Sequence, residues 1–173
     1  MKQSFRIPPA TPTGKAFPAV IALVLLAIAV SFALRLPEKS VESIVGLVIV
    51  LPVAALFVWL LVRQSGSTLE VTEEVLMLNV PWYARRVAMA DIDMDRVRLL
   101  SEAEAGGWQL KWRTNGIGFP GFQVGWFSSE NREKVLAART QGQAVLIPTT
   151  KGFTLLVSLE DPEAFVNRMR SAD

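Results

Sequence analysis

Asp91, Asp93 and Asp95, three carboxylates spaced by two, come nearest in type and spacing to a metal site. On an extended strand they would share one face and offer hard oxygen ligands to a cation. The calcium-loop pattern fails in detail. Counted from Asp91, the position that needs glycine is Arg96, the position that needs a bidentate glutamate is Glu102, and Arg96 and Arg98 add positive charge inside the loop. A solvated edge is the expected role, and no metal site is assigned. The glycine-rich stretch from Gly116 to Gly125 lacks the Gly-Lys-Ser/Thr of a phosphate-binding loop and the strand-to-helix setting of a dinucleotide site, so its glycines are expected to permit turns and bulges. The chain contains no His and no Cys. That excludes imidazole bases, histidine-based metal centres, thiolate nucleophiles, zinc fingers and disulfides. No catalytic residue and no cofactor is assigned.

Two other sets of side chains could bind without doing chemistry. Arg85 with Arg86, and Lys111 with Arg113, are candidate anion contacts, best matched to lipid headgroups, although in a segment of near-zero net charge a polar strand face turned to water is the expected role. Phe119 and Phe122 flank Pro120 and are followed by Trp126 and Phe127; most of these are expected in the core, and any that project from the loop would form a protein-contact patch or dip into a membrane interface.

These residues must be held by something, and charge and hydropathy show what. Residues 1 to 42 carry five basic and two acidic groups, whereas residues 63 to 173 carry thirteen and fourteen. The net charge of +2 therefore resides beside the apolar segments, which removes most of the case for nucleic acid or another polyanion as partner. Two uncharged runs, 16–34 and 43–62, are joined by a polar loop, 35–42, and preceded by a tail, 1–15. Each approaches the roughly 20 apolar residues that a helix needs to cross about 30 Å of hydrocarbon. Lys2, Arg6 and Lys15 ahead of Ala27-Ile28-Ala29 mimic a cleavable signal peptide, but the run continues uncharged to Leu34, longer than a signal core. Lys2, Arg6, Lys15 and Arg63 flank the outer ends of the pair, against Arg35 and Lys39 between them, so both termini are expected in the cytoplasm. Pro52 falls inside the second run, where a packing kink is expected.

The remaining segment, 63–173, is long enough for one hydrophobic core. Its periodicity is near two: Leu69 and Val71, then Val75 to Val80, then Trp82 to Met89 suggest a hairpin-rich start. Trp108, Leu110 and Trp112 alternate with Gln109, Lys111 and Arg113, and Phe122, Val124 and Trp126 alternate with Gln123, Gly125 and Phe127. Ala144 to Ile147 and Phe153 to Val157 surround the turn-rich Pro148 to Gly152. The period then changes: Asp161 suits an N-cap, Pro162 the first helical position, and Phe165 with Met169 one apolar face.

The stretches Gly116 to Gly125, Ala144 to Thr149 and Leu159-Glu160-Asp161-Pro162-Glu163-Ala164-Phe165-Val166 resemble bacterial pleckstrin-homology-like (PH-like) domains. The resemblance covers roughly residues 64 to 170. It implies a bent antiparallel sheet of about seven strands capped by one C-terminal helix, and a binding or scaffolding role without a catalytic residue. In eukaryotic relatives that hold phosphoinositides, Lys and Arg surround the first hairpin, whereas the corresponding turn here is Thr72-Glu73-Glu74, whose acids repel phosphate. The expected protein is thus two transmembrane helices followed by a mainly-β PH-like domain. It is expected to be a non-enzymatic module at the cell membrane that binds a protein partner or itself, with anionic headgroup sensing as the alternative. Neither nucleic acid nor a small-molecule substrate is expected.

Overall fold

A computed structural model of the chain describes residues 2–35, 41–63, 66–101, 104, 107–119, 121–140 and 142–171. Two long helices, α1 (Pro12–Leu34) and α2 (Val41–Arg63), pack against each other as an antiparallel hairpin. Thr11 caps α1, its hydroxyl accepting from the Gly14 amide at 3.0 Å, and Pro12 follows at a position that needs no amide donor. At the crossing, the Phe32 ring lies 2.8 Å from where a Cβ on Gly46 would sit. Both helices are long and apolar enough to cross a bilayer, and only 17 % and 11 % of their most apolar windows are buried, so their side chains face outward rather than into a soluble core. Pro52 lies inside α2 without breaking it.

The first strand precedes the hairpin. The segment expected as a tail contains β1 (Gln3–Arg6), which pairs antiparallel with β2 (Thr68–Val71) on the far side of both helices, with Phe5 opposite Leu69. β3 (Val75–Asn79) and β4 (Arg85–Ala88) complete a four-stranded sheet in chain order. The β2–β3 turn is closed by Thr72, whose hydroxyl accepts from the Val75 amide at 3.0 Å, leaving Glu73 and Glu74 exposed at the tip.

The second sheet has six strands in the order β5-β9-β10-β8-β7-β6. These are β5 (Arg98–Leu99), β6 (Leu110–Phe119), β7 (Phe122–Ser129), β8 (Lys134–Arg139), β9 (Ala144–Pro148) and β10 (Thr154–Ser158). Every pairing is antiparallel except β8 with β10, so the sheet is mixed where an antiparallel one was expected. The β9–β10 hairpin forms across 149–153 as expected. The described residues form ten strands in two sheets, roughly the expected number: each of the seven stretches read as extended contains a strand, and β1, the two-residue β5 and β8 are added to them.

The helix α3 (Pro162–Arg170) closes the domain, with the Asp161 carboxylate accepting from the Ala164 amide at 3.0 Å. Phe165, Val166 and Met169 are buried in the main core, between the sheets, together with Phe5, Leu69, Leu76, Leu136 and Leu155. A second cluster covers the other face of the six-stranded sheet, where Leu100 and Trp108 lie on Phe127, Val135, Leu146 and Leu156. β9 and β10 are consequently buried on both faces, which is why they read as continuous apolar runs.

The alternation expected from Trp108 to Arg113 does not hold. Trp108 precedes β6 and folds onto the outer core, while register shifts between Leu110 and Trp112, and again between Arg113 and Asn115, turn the strand. Trp112 is left 72 % exposed. A bulge inserts an unpaired residue and breaks the two-residue period that a strict reading assumes.

Candidate binding cleft between the two sheets

Alternation along β4 places Arg85 and Val87 on the inner face and Arg86 on the outer one, with Val87 opposite Leu76 and Arg85 opposite Leu78. Val87 is buried, but Arg85 lies where the core ends and is exposed. The same happens across the gap: along β7, Phe122 and Val124 are buried on the inner face, and Trp126 is only partly covered. Lys134 begins β8 and Phe153 leads into β10. Trp126, Lys134 and Phe153, with all four residues of β4, line a cleft of about 510 Å³.

The floor is aromatic and the rim is cationic. Trp126 and Phe153 meet edge to face, with ring centroids 5.3 Å apart at 77°. Lys134 Nζ stands 4.6 Å from the Trp126 ring centroid, and the Arg85 guanidinium carbon 5.8 Å from that of Phe153. Each cation thus gains from a ring face while keeping its charge available to solvent. Lys151 adds a third rim cation. Its Nζ lies 3.2 Å from the Asp91 carboxylate, and the Asp91 carbonyl accepts from the Thr150 amide at 2.8 Å, which ties the β9–β10 turn to the end of β4.

The other charged candidates are dispersed. Asp93 pairs with Arg96 at 3.5 Å and Asp95 is exposed, the three aspartates lying in and around two short 3-10 turns rather than on one strand face. Among the described residues no cluster of three metal-ligating side chains occurs. Lys111 pairs with Glu130, and Arg113 projects from β6, the outer edge of the other sheet; neither lines the cleft with Arg85 and Arg86. The four cations expected to act together are split between two edges.

Phe122 corrects the aromatic-patch expectation, because it is 3 % exposed and belongs to the main core. The same inward alternation that places Val124 and Trp126 buries it. The backbone of Phe119 pairs with Phe122, but its side chain, like Pro120, lies outside the described residues. Gly121, at φ +74, packs against the Thr11 side chain at the start of α1, so the β6–β7 turn abuts the helical hairpin. A second joint forms where Trp82, between β3 and β4, stacks on Trp59 of α2 at 4.7 Å. Trp82 has φ +62, a conformation unfavourable for a bulky residue.

Residues 68–172 match the family model described as Bacterial PH domain, which is more than half of the chain. The chain belongs to the bacterial PH domain family. No curated protein and no solved structure gives a match. The matched PH domain begins at β2, so β1 and both helices are additions to it. In this PH domain the first hairpin carries Glu73 and Glu74, and the cations gather instead at the β4 edge.

Arg85 and Arg86 stand out as adjacent cations in the sequence, whereas Lys134, Lys151, Trp126 and Phe153 become their neighbours only in the folded chain. Pairing across the mouth of two sheets leaves no local spacing to read. β1 did leave a signal: Phe5 and Ile7 keep the two-residue period of a strand, and both are buried.

Proposed function

We propose that this protein is a non-enzymatic, two-span membrane protein whose PH domain holds a protein partner at the cytoplasmic surface. The observation that carries this reading is the pairing of β1 with β2, because it ties the chain before α1 to the chain after α2 and holds the folded domain at the base of the helical hairpin. A body so fixed is suited to presenting a surface rather than to enclosing a substrate. The sequence adds that the usual proton-transfer and thiol groups, His and Cys, are absent. Four flanking basic residues against two support the cytoplasmic side.

Headgroup sensing is the second reading, and one observation favours it: the Trp59–Trp82 stack sets the start of β4, with Arg85 three residues on, near the anchor. Cross-linking in native membranes with the full chain, followed by affinity purification, separates the two. A protein adduct or a cross-linked homodimer supports the interaction module. Adducts with anionic lipid alone would reject it.

A further inference from the structure

The cleft beside β4 has features that specify an occupant. Its rim holds Arg85, Arg86, Lys134 and Lys151 against a single acid, Asp91, in a domain whose overall charge is close to neutral. Its floor, Trp126 and Phe153, is apolar. Its wall is the full length of β4, the last strand of its sheet, which pairs with β3 on one side and, among the described residues, with no strand on the other. An unpaired strand edge offers main-chain donors and acceptors to an extended chain, and flanking pockets take its alternate side chains.

The position matters as well. Met89 donates its amide to the Glu74 carbonyl at 2.8 Å, so the end of β4 lies at the β2–β3 turn, the end of the sheet opposite to Trp82 and the α2 contact. Asp91, two residues further, holds Lys151 there. The cleft therefore runs away from the Trp59–Trp82 contact, and Lys151 sits at its remote end.

Resting on the protein-interaction reading above, we infer that the β4 cleft binds an acidic, extended polypeptide segment of a partner. The segment adds to β4 as a further strand. Its carboxylates meet Arg85, Lys134 and Lys151, and an apolar side chain between them lies on Trp126 and Phe153. A free phosphate or a single headgroup would satisfy the cations but use neither the strand edge nor the aromatic floor.

The test uses the full chain in nanodiscs of zwitterionic lipid and a fluorescein-labelled peptide of alternating Glu and Leu as probe, read by anisotropy. Saturable binding is expected, weakening as salt is raised from about 0.05 M to about 0.5 M. Arg85→Glu combined with Lys134→Glu should weaken it by about tenfold or more, whereas Lys111→Glu with Arg113→Glu should change it by less than about twofold. Arg85→Lys should retain most of the binding. All four side chains are exposed, and an unchanged unfolding midpoint checks that each variant is folded. Equal losses from the two charge reversals, or displacement of the probe by inorganic phosphate or glycerol 3-phosphate at concentrations below that of unlabelled peptide, would overturn the assignment. Absence of probe binding while cross-linking still yields a protein partner would reject the cleft and leave the functional reading intact. A lipid-only cross-linking result would reject that reading by itself.

Discussion

Replacing Phe5 by Ala tests whether a residue outside the matched PH domain belongs to its core. Phe5 is 7 % exposed, sits opposite Leu69 in the β1–β2 pairing, and meets Phe165 of α3 edge to face with centroids 5.2 Å apart. Truncation of a buried Phe costs about 3 to 5 kcal/mol from lost transfer energy and the cavity left behind. Phe5 lies on an edge strand that can settle inward, so the low end, about 3 kcal/mol, is expected for Phe5→Ala. Phe165 is fully buried, and Phe165→Ala should approach about 5 kcal/mol. The two rings touch, so the double variant should fall short of additivity by about 0.5 to 1.5 kcal/mol, the usual coupling of an aromatic pair. A small domain has about 5 to 15 kcal/mol in hand, so the Phe5 variant should fold with a clearly lowered midpoint. Denaturant unfolding of the full chain in zwitterionic detergent, followed by tryptophan fluorescence and near-ultraviolet circular dichroism, provides the numbers. A loss below about 1 kcal/mol for Phe5→Ala with additive behaviour in the double variant would refute the docking of β1 against α3.

Three further predictions follow from the fold. Gly125→Ala should destabilise the domain by about 1 to 3 kcal/mol, since Gly125 has φ +117 and an added Cβ would lie 2.5 Å from the Gly116 Cα; an unchanged unfolding midpoint would contradict that close approach. Hydrogen bonds from Arg98 first, and then from Ser101, lower the Glu104 carboxyl from 4.5 to about 2, so its contribution to holding the loop before β6 is complete above pH about 4.5 and is lost as pH falls towards about 2; a carboxyl titration by NMR with an ordinary midpoint would refute it, and Arg98→Ala should raise the midpoint. Reporters fused ahead of Lys2 and after Asp173 should read the same compartment, the cytoplasm, and mass spectrometry should find β1 still attached; a mature chain starting after Ala29 would overturn both expectations.

What the sequence revealed followed the range of the interactions involved. The two apolar runs, the Asp161-Pro162 helix start and the β9–β10 turn depend on neighbours within a few residues, and each formed where the residues indicated. Trp112 was misplaced because a bulge shifts the period without changing composition. β9 and β10 show no alternation because a loop carrying Leu100 and Trp108 covers their second face, which only the folded chain shows. The cleft was half legible: Arg85 and Arg86 are adjacent, but Lys134, Lys151, Trp126 and Phe153 reach them from three other places in the chain. Phe122 was legible in its alternation with Val124 and Trp126, and that inward register, not its place beside Pro120, decides its burial.

The pairing of β1 with β2 also sets an order of events during synthesis. β1 leaves the ribosome first, but its partner emerges roughly sixty residues later, after both helices. Closing so long a loop in a flexible chain is slow and entropically costly, whereas an antiparallel helical hairpin brings its two ends together and removes most of that search. A chain whose two helices have not paired does not seat Phe5, and Leu69 stays at an open sheet edge with its outer flank unpaired. Completion of the domain core thereby depends on the helical hairpin: until α1 and α2 pack together, Phe5 is not brought to Leu69 and the edge of β2 is left without its outer partner.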